Sequence, residues 1–263
     1  MLTVHILASG SEGNCLLVSG GDVHILVDAG ISARRITTGL AALGLSPRDV
    51  TAVLLTHEHS DHVSGVATLT KQHRLPLYAS RGTAQALCAK VSHAADVLRI
   101  VPREGSFELG DTRITVFPTS HDAAESIDFR FDRGGAALGV LTDTGFVTPE
   151  AERALQGVDL LVLESNHDEE WLLSGPYPYY LKQRILGDRG HLSNHAAALL
   201  AQRMAAAGTR QFVLAHLSRE NNTPERARQT MAQALAGLDA AVTVAPRAEL
   251  SGPYIAEVRV CSE

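Results

Sequence analysis

His57-Glu58-His59-Ser60-Asp61-His62 places three histidines, an aspartate and a glutamate within six positions, directly after the apolar run Ala52-Val53-Leu54-Leu55 and Thr56. An apolar run of this kind reads as a buried strand. A strand end holds the backbone still while the turn beyond it fans out imidazoles and a carboxylate. His57 and His59 can then reach one metal ion while Asp61 and His62 reach a second. This is what a dinuclear hydrolase needs to make a water nucleophile at neutral pH. A lone histidine in a strand is ordinarily a core or surface residue, but H-x-H-x-D-H spacing is hard to obtain without a metal.

Three more ligand-type side chains stand at the ends of apolar runs. His121 follows Ile114-Thr115-Val116-Phe117-Pro118, Asp143 follows Ala137-Leu138-Gly139-Val140-Leu141-Thr142, and His216 follows Phe212-Val213-Leu214-Ala215. One ion would take His57, His59 and His121, and the other Asp61, His62 and His216, with Asp143 bridging. Open positions would remain for a nucleophile and a substrate oxygen. A set rich in imidazole suits zinc, while its carboxylates and lack of cysteine leave manganese or iron open. The expected cofactors are two divalent ions.

The elements that must position these residues follow from alternating apolar runs and turn signals. Strands are predicted near 2–8, 14–18, 23–28, 51–56, 97–101, 112–117, 127–131, 136–142, 158–163, 210–215, 241–245 and 253–259. Helices are predicted over 32–43, 62–73, 81–90, 149–156, 194–207 and 224–236, two of them opening with Thr-Pro at Thr148-Pro149 and Thr223-Pro224. An α/β fold of two face-to-face sheets with helices outside would bury so many apolar strands and bring their ends to one edge. No Pro/Gly/Ser linker divides the chain, so residues 1–263 are expected to form one domain. The site would lie between a first half ending in Asp143 and a second supplying His216.

At 45% hydrophobic and 20% charged residues the whole chain should fold. The start lacks a basic leader, and no run is long enough to span a bilayer, so a cytoplasmic protein with no membrane partner is expected. Cys15, Cys88 and Cys261 are too few for a disulfide framework and read as small buried hydrophobes. A formal charge of −6 argues against coating nucleic acid along a broad basic face. A nuclease stays possible, because two divalent ions would add about four positive charges where a phosphate docks.

The order His57-x-His59-x-Asp61-His62, His121, Asp143, His216 resembles the ligand motifs of the metallo-β-lactamase superfamily, over nearly the whole chain. The resemblance implies that superfamily's αββα sandwich of two mixed β-sheets flanked by helices. Within the superfamily, several segments are similar to the YycJ (WalJ) family: Ala8-Ser9-Gly10-Ser11-Glu12-Gly13-Asn14-Cys15, Asp28-Ala29-Gly30, Glu164-Ser165-Asn166-His167-Asp168, Gly190-His191-Leu192-Ser193-Asn194 and Ala215-His216-Leu217-Ser218. That resemblance implies a DNA exonuclease with a part in repair. The last three motifs also resemble tRNase Z in order, which implies that Glu164 and His191 assist protonation of the leaving group. The long arm by which many tRNase Z proteins grip tRNA is lacking, and this argues against tRNA processing.

His191 stands just before Ser193, a good helix N-cap, so it can point at the site, while His195, inside the helix, is expected at the surface or behind the site. Trp171, Tyr177, Tyr179 and Tyr180 precede Lys182, Arg184 and Arg189. Aromatic faces beside cations can stack bases and hold phosphates, which makes Tyr180, Lys182 and Arg184 candidate substrate-binding residues. The Ser9-to-Asn14 loop offers backbone N–H groups to a phosphate, with Ser11 and Asn14 as candidates, but it has no P-loop lysine. Asp28 is expected to orient the ligand loop as a hydrogen-bond acceptor.

The leading reading is a two-metal phosphodiesterase acting on DNA from a 5′ end, with Asp61, His191 and Glu164 in catalysis. A thioesterase or other acyl hydrolase of the glyoxalase II type is the alternative, since the same nucleophile attacks carbonyls. The Glu164 and His191 pair and the aromatic-basic stretch discriminate, because a thioester requires neither. A metal-stabilised binding protein without turnover is the third reading, and an intact ligand set counts against it.

Overall fold

A computed structural model describes residues 1–257 of the chain. Strands β1 (Leu2–Ala8), β2 (Cys15–Gly20), β3 (Val23–Val27), β4 (Ala52–Leu54), β5 (Leu77–Ala79) and β6 (Leu98–Ile100) belong to a first sheet. A second sheet contains β7 (Gly105–Leu109), β8 (Thr112–Pro118), β9 (Ile127–Arg133), β10 (Ala136–Leu141), β11 (Leu160–Glu164), β12 (Gln211–Ala215) and β13 (Ala241–Val244). The chain then returns to the first sheet as β14 (Ser251–Ala256), paired antiparallel with β1.

Both sheets are mixed in the same way. β3 to β6 run parallel and β14, β1, β2 and β3 antiparallel; β10 to β13 run parallel and β7 to β10 antiparallel. Parallel strands covered on both faces need apolar side chains at every position. β10 and β11 are accordingly buried along their whole length. Val27, Leu54, Phe129, Val140 and Val162 fill the layer between the sheets.

Helices cover the outer faces. On the first sheet lie α1 (Ala33–Ala42), α2 (Ser60–Val63), α3 (Val66–His73) and α4 (Arg81–Lys90); Ile36, Leu40, Leu69 and Leu87 supply the apolar contact. On the second sheet, α5 (Pro149–Leu155), α8 (Asn194–Ala206) and α9 (Pro224–Ala234) bury Leu155, Leu200, Met204 and Met231. Between α5 and α8 come two short helices, α6 (Glu169–Ser174) and α7 (Tyr179–Leu186). No helix among the described residues is long and apolar enough to cross a membrane.

The αββα arrangement agrees with expectation, and the differences have local causes. The helix expected over 62–73 is two helices broken at Ser64 and Gly65, because Gly65 packs against backbone: a Cβ there would lie 2.4 Å from the Ile31 carbonyl oxygen. β5 was not expected, since three residues are too short for a period to show. β7 alternates half-buried and exposed positions at a sheet edge, and α7 buries none of its residues, so neither carries a strong apolar signal. The sheets divide between β6 and β7, so His121 and Asp143 share the second sheet with His216 rather than a first half. The last residues of the strand expected over 253–259, and Cys261, lie outside the described residues.

Candidate metal centre and cleft

Parallel strands present the ends of their chains to one edge, where irregular backbone can hold polar groups. In the first sheet that edge carries Asp28 after β3 and His57 after β4; in the second it carries Asp143 after β10, Glu164 at the end of β11 and His216 after β12. Asp28, Asp143 and His216 all take positive φ, of 60°, 51° and 55°. Such backbone is unusual away from glycine and persists where surroundings over-determine it. Here they do: His216 N–H donates to Ser9 Oγ (2.8 Å), and Thr142 N–H, beside Asp143, donates to buried Asp128 (2.8 Å).

The ligand loop is clamped from below. Asn14 N–H donates to the Asp61 carbonyl and Ala29 N–H to the His62 carbonyl, at 2.8 and 2.9 Å. Gly30 makes the approach possible, since a Cβ at that position would stand 1.7 Å from the Asp61 carbonyl oxygen. Glu58, the one chemistry-bearing residue of the cluster turned away, accepts from Ala124 N–H at 2.8 Å and joins this loop to the His121 loop.

The structure brings together all seven side chains expected to bind metal. Donor atoms of His57, His59 and His121 form one group, those of Asp61, His62 and His216 another, and those of Asp143, His57 and His62 a third, the atoms within each group lying within 4.8 Å of one another. Asp143 spans both sets: Oδ2 is 3.3 Å from His62 Nε2 and Oδ1 is 3.7 Å from His121 Nε2.

The remaining ring nitrogens are engaged elsewhere. His57 Nδ1 faces Thr56 Oγ1 (3.0 Å), His62 Nδ1 faces Asp28 Oδ2 (2.8 Å), His121 Nδ1 faces the Gly190 carbonyl (3.1 Å) and His216 Nδ1 faces Glu164 Oε1 (2.9 Å). An imidazole that donates one N–H outward presents its other nitrogen in the form a metal requires. His57 Nε2, His216 Nε2 and Asp143 Oδ2 are buried with no hydrogen-bond partner among the described residues, although buried polar atoms are normally paired. These orphaned atoms converge on one space, and the donor set fits divalent ions.

Histidines and carboxylates of the cluster shift one another's protonation. Burial and the neighbouring histidines drive the His57 pKa well below the ordinary range, and burial also lowers His121. Burial would lower His62 and His216 too, but carboxylates prevail: Asp143 and Asp28 raise His62, and Asp143, Asp61 and Glu164 push His216 up to about 10. Burial works against the ionised forms of Asp61 and Glu164, yet their histidine partners hold both below the carboxylate range.

Glu164 is fully buried behind the cluster. Its Oε1 also faces His191 Nδ1 at 2.8 Å, so one carboxylate orients both His216 and His191. His191 stands beside the donors, its ring centroid 5.1 Å from that of His121 and 5.2 Å from that of His216. It also borders a cleft of about 200 Å³ lined by Ser11, Asn166, Tyr177, Arg184 and Ser218.

The other expected residues are placed differently. Asn14 is buried beneath the ligand loop, its amide 3.1 Å from His62 Nε2 and 3.5 Å from Asp61 Oδ2. Tyr180 is exposed and does not line the cleft, and Lys182 Nζ donates to the Leu173 carbonyl at 2.6 Å, closing the end of α6. Trp171 is covered by the Arg226 guanidinium, and His195 is exposed. Tyr177, Asn166, Arg189 and Asp122 also lie at the site: Tyr177 and Arg189 belong to the aromatic-basic stretch without being named as candidates, and Asn166 and Asp122 are signalled only by adjacency to the Glu164 motif and to His121. A larger open groove of about 550 Å³ beside β8 and β9 is lined by Arg113, Arg130, Arg133 and Arg153, but it contains none of the converging donors.

Residues 24–217 match the model of the β-lactamase superfamily domain. The chain is 40% identical to exodeoxyribonuclease WalJ of Streptococcus pneumoniae, over 91% of this chain and 90% of that protein. It is 38% identical to exodeoxyribonuclease YycJ of Bacillus anthracis, over 88% of each. Its fold resembles the metallo-β-lactamase fold protein YhfI of Bacillus subtilis, with a TM-score of 0.71 at 17% identity over 95% of this chain and 98% of that one.

Proposed function

Because the chain belongs to the metallo-β-lactamase superfamily and, within it, to the family of WalJ and YycJ, we propose that it is a two-metal phosphodiesterase that shortens DNA from a 5′ end. The observation that carries the reading is His191, anchored by buried Glu164 and set between seven metal donors and a cleft. Acyl transfer from a thioester releases a stable thiolate and needs no such group. A departing sugar alkoxide must be protonated or otherwise stabilised.

In this reading His57, His59 and His121 would hold one ion and Asp61, His62 and His216 a second, with Asp143 within reach of both sets and zinc or manganese the metals the donors suit. Bound there, divalent ions would supply Lewis acidity for phosphodiester hydrolysis. Asp61, beside His62 and His216, would accept the proton of the attacking water. As the new P–O bond forms and the bond to the leaving sugar breaks, His191 would give a ring-nitrogen proton to the departing oxygen. Glu164 would act through His191, facing its Nδ1 at 2.8 Å and so orienting the ring. The small cleft beside the donors suits a chain end better than a duplex interior. A DNA substrate would place the protein in the cytoplasm, and the resemblance to YycJ points to DNA repair as the process served.

The test offers end-labelled single- and double-stranded DNA, matched RNA and S-lactoylglutathione to metal-loaded protein. Stepwise shortening of DNA is expected, faster with a 5′-phosphate. Turnover of the thioester with all nucleic acids left intact would overturn the reading in favour of an acyl hydrolase.

A further inference from the structure

Asp122 follows the metal donor His121, and its two oxygens face different surroundings. Oδ2 accepts from Arg184 Nε at 2.6 Å. Oδ1 is buried with no hydrogen-bond partner, 3.4 Å from His121 Nε2 and 3.7 Å from His59 Nε2. An anion therefore stands between the histidines of one metal set and a guanidinium on the cleft wall, which is where a phosphate would bridge the same partners.

Arg184 is built to exchange partners. It sits on α7, which buries no residue, and its side chain is 57% exposed. Its contact to Asp122 runs through Nε, whereas a phosphate can engage Nε and an η nitrogen together in the bidentate geometry that guanidinium favours. Neighbouring Arg189 is committed to the backbone, donating to the His121 and Ala123 carbonyls at 3.0 and 3.3 Å. Asp122, once released, has a destination. The outward nitrogens of the other four metal histidines face close acceptors, while among the described residues His59 Nε2 has only Asp122, at 3.7 Å.

We propose that Asp122 is a placeholder for a substrate phosphate and that Arg184 is the residue that receives that phosphate. The inference rests on the phosphodiesterase reading and names the group that the cleft recognises. Phosphate binding would transfer Arg184 from the carboxylate to the ligand and free Asp122 to accept from His59 Nε2–H, coupling occupancy of the cleft to the orientation of a metal ligand. The phosphate is either a 5′-terminal group or a backbone diester.

The test is calorimetric titration of inorganic phosphate into metal-loaded wild type, Arg184→Gln, Arg184→Lys, Asp122→Asn and the Arg184→Gln/Asp122→Asn double variant, each checked for metal content and melting temperature. Losing the charged fork should weaken phosphate binding about 10- to 100-fold. Asp122→Asn, which removes the competitor, should tighten it, and only while Arg184 is present. Arg184→Lys should fall between Arg184→Gln and wild type. KM for 5′-phosphorylated and 5′-hydroxyl oligonucleotides assigns the source: opposed shifts confined to the phosphorylated substrate identify the terminal group, and equal shifts on both identify the backbone. If Asp122→Asn weakens phosphate binding as Arg184→Gln does, the carboxylate merely orients the arginine and the placeholder is overturned. Normal DNA cleavage with unmoved phosphate affinities overturns the placeholder and leaves the nuclease reading standing. Opposed phosphate shifts in a protein that cleaves no DNA reject the nuclease reading alone.

Discussion

Glu164→Gln replaces one oxygen with an NH₂ group and alters the charge of a side chain on which four donors converge. His191 Nδ1 and His216 Nδ1 face Oε1 at 2.8 and 2.9 Å, and the Thr144 and Leu192 backbone N–H groups donate to Oε2 at 3.2 and 3.0 Å. A glutamine has a single acceptor oxygen. If it serves the histidines, its NH₂ confronts two buried N–H groups; if it serves the backbone, the NH₂ confronts both imidazoles. Leaving two buried donors unsatisfied at about 1–3 kcal/mol each costs about 2–6 kcal/mol. For a chain of this size that lowers the melting temperature by about 5–20 °C. His216 also loses the acceptor that orients it, so metal affinity should fall about 10- to 100-fold. Scanning calorimetry and metal titration read the two effects separately. A variant with wild-type melting temperature and wild-type metal affinity would refute the claim that Glu164 organises the second sheet's contribution to the site.

Other consequences are equally concrete. His191→Ala should retain metal and slow DNA cleavage by about 10² to 10⁴ while sparing bis(p-nitrophenyl) phosphate, whose leaving group needs no proton; equal loss on both substrates would make His191 positional. Asp143→Ala, which removes the carboxylate between both donor sets, should lose most of the metal found by elemental analysis, and full occupancy in that variant would remove Asp143 from the coordination sphere. His167 is buried with neither ring nitrogen paired, and burial holds its pKa down to about 4 from 6.5. The unfolded chain therefore binds a proton that the native chain refuses between those values, so this group makes stability fall by about 3 kcal/mol as pH drops through that window. Denaturant titrations from pH 7 to 4 should show a shallower loss in His167→Leu, and an unchanged slope would reject the assignment.

The donors were legible in the sequence because each stands at the end of an apolar run that becomes a strand, and the parallel strands of both sheets end at one edge. Asp28 was legible for the same reason, as the first residues beyond β3. What holds the donors was harder to read. His121 is oriented by the carbonyl of Gly190, and any residue carries a carbonyl. Asn194 and Asn222 pair their amides at 2.9 and 3.0 Å, a contact made only when the start of α8 and the loop before α9 come together. α7, which supplies Arg184, is eight residues long and buries none of them, so it has no core face to read, and the direction of Lys182 away from the cleft depends on that helix packing beside α6.

The central claim is that these seven side chains hold two ions that act together on a phosphodiester. Its most direct test is titration of metal-free protein with manganese or zinc while cleavage of 5′-phosphorylated DNA is followed. Activity should rise to a plateau at about two ions per chain, as a two-metal displacement requires. Full activity reached with a single ion bound, or no DNA cleavage once both are bound, would contradict it.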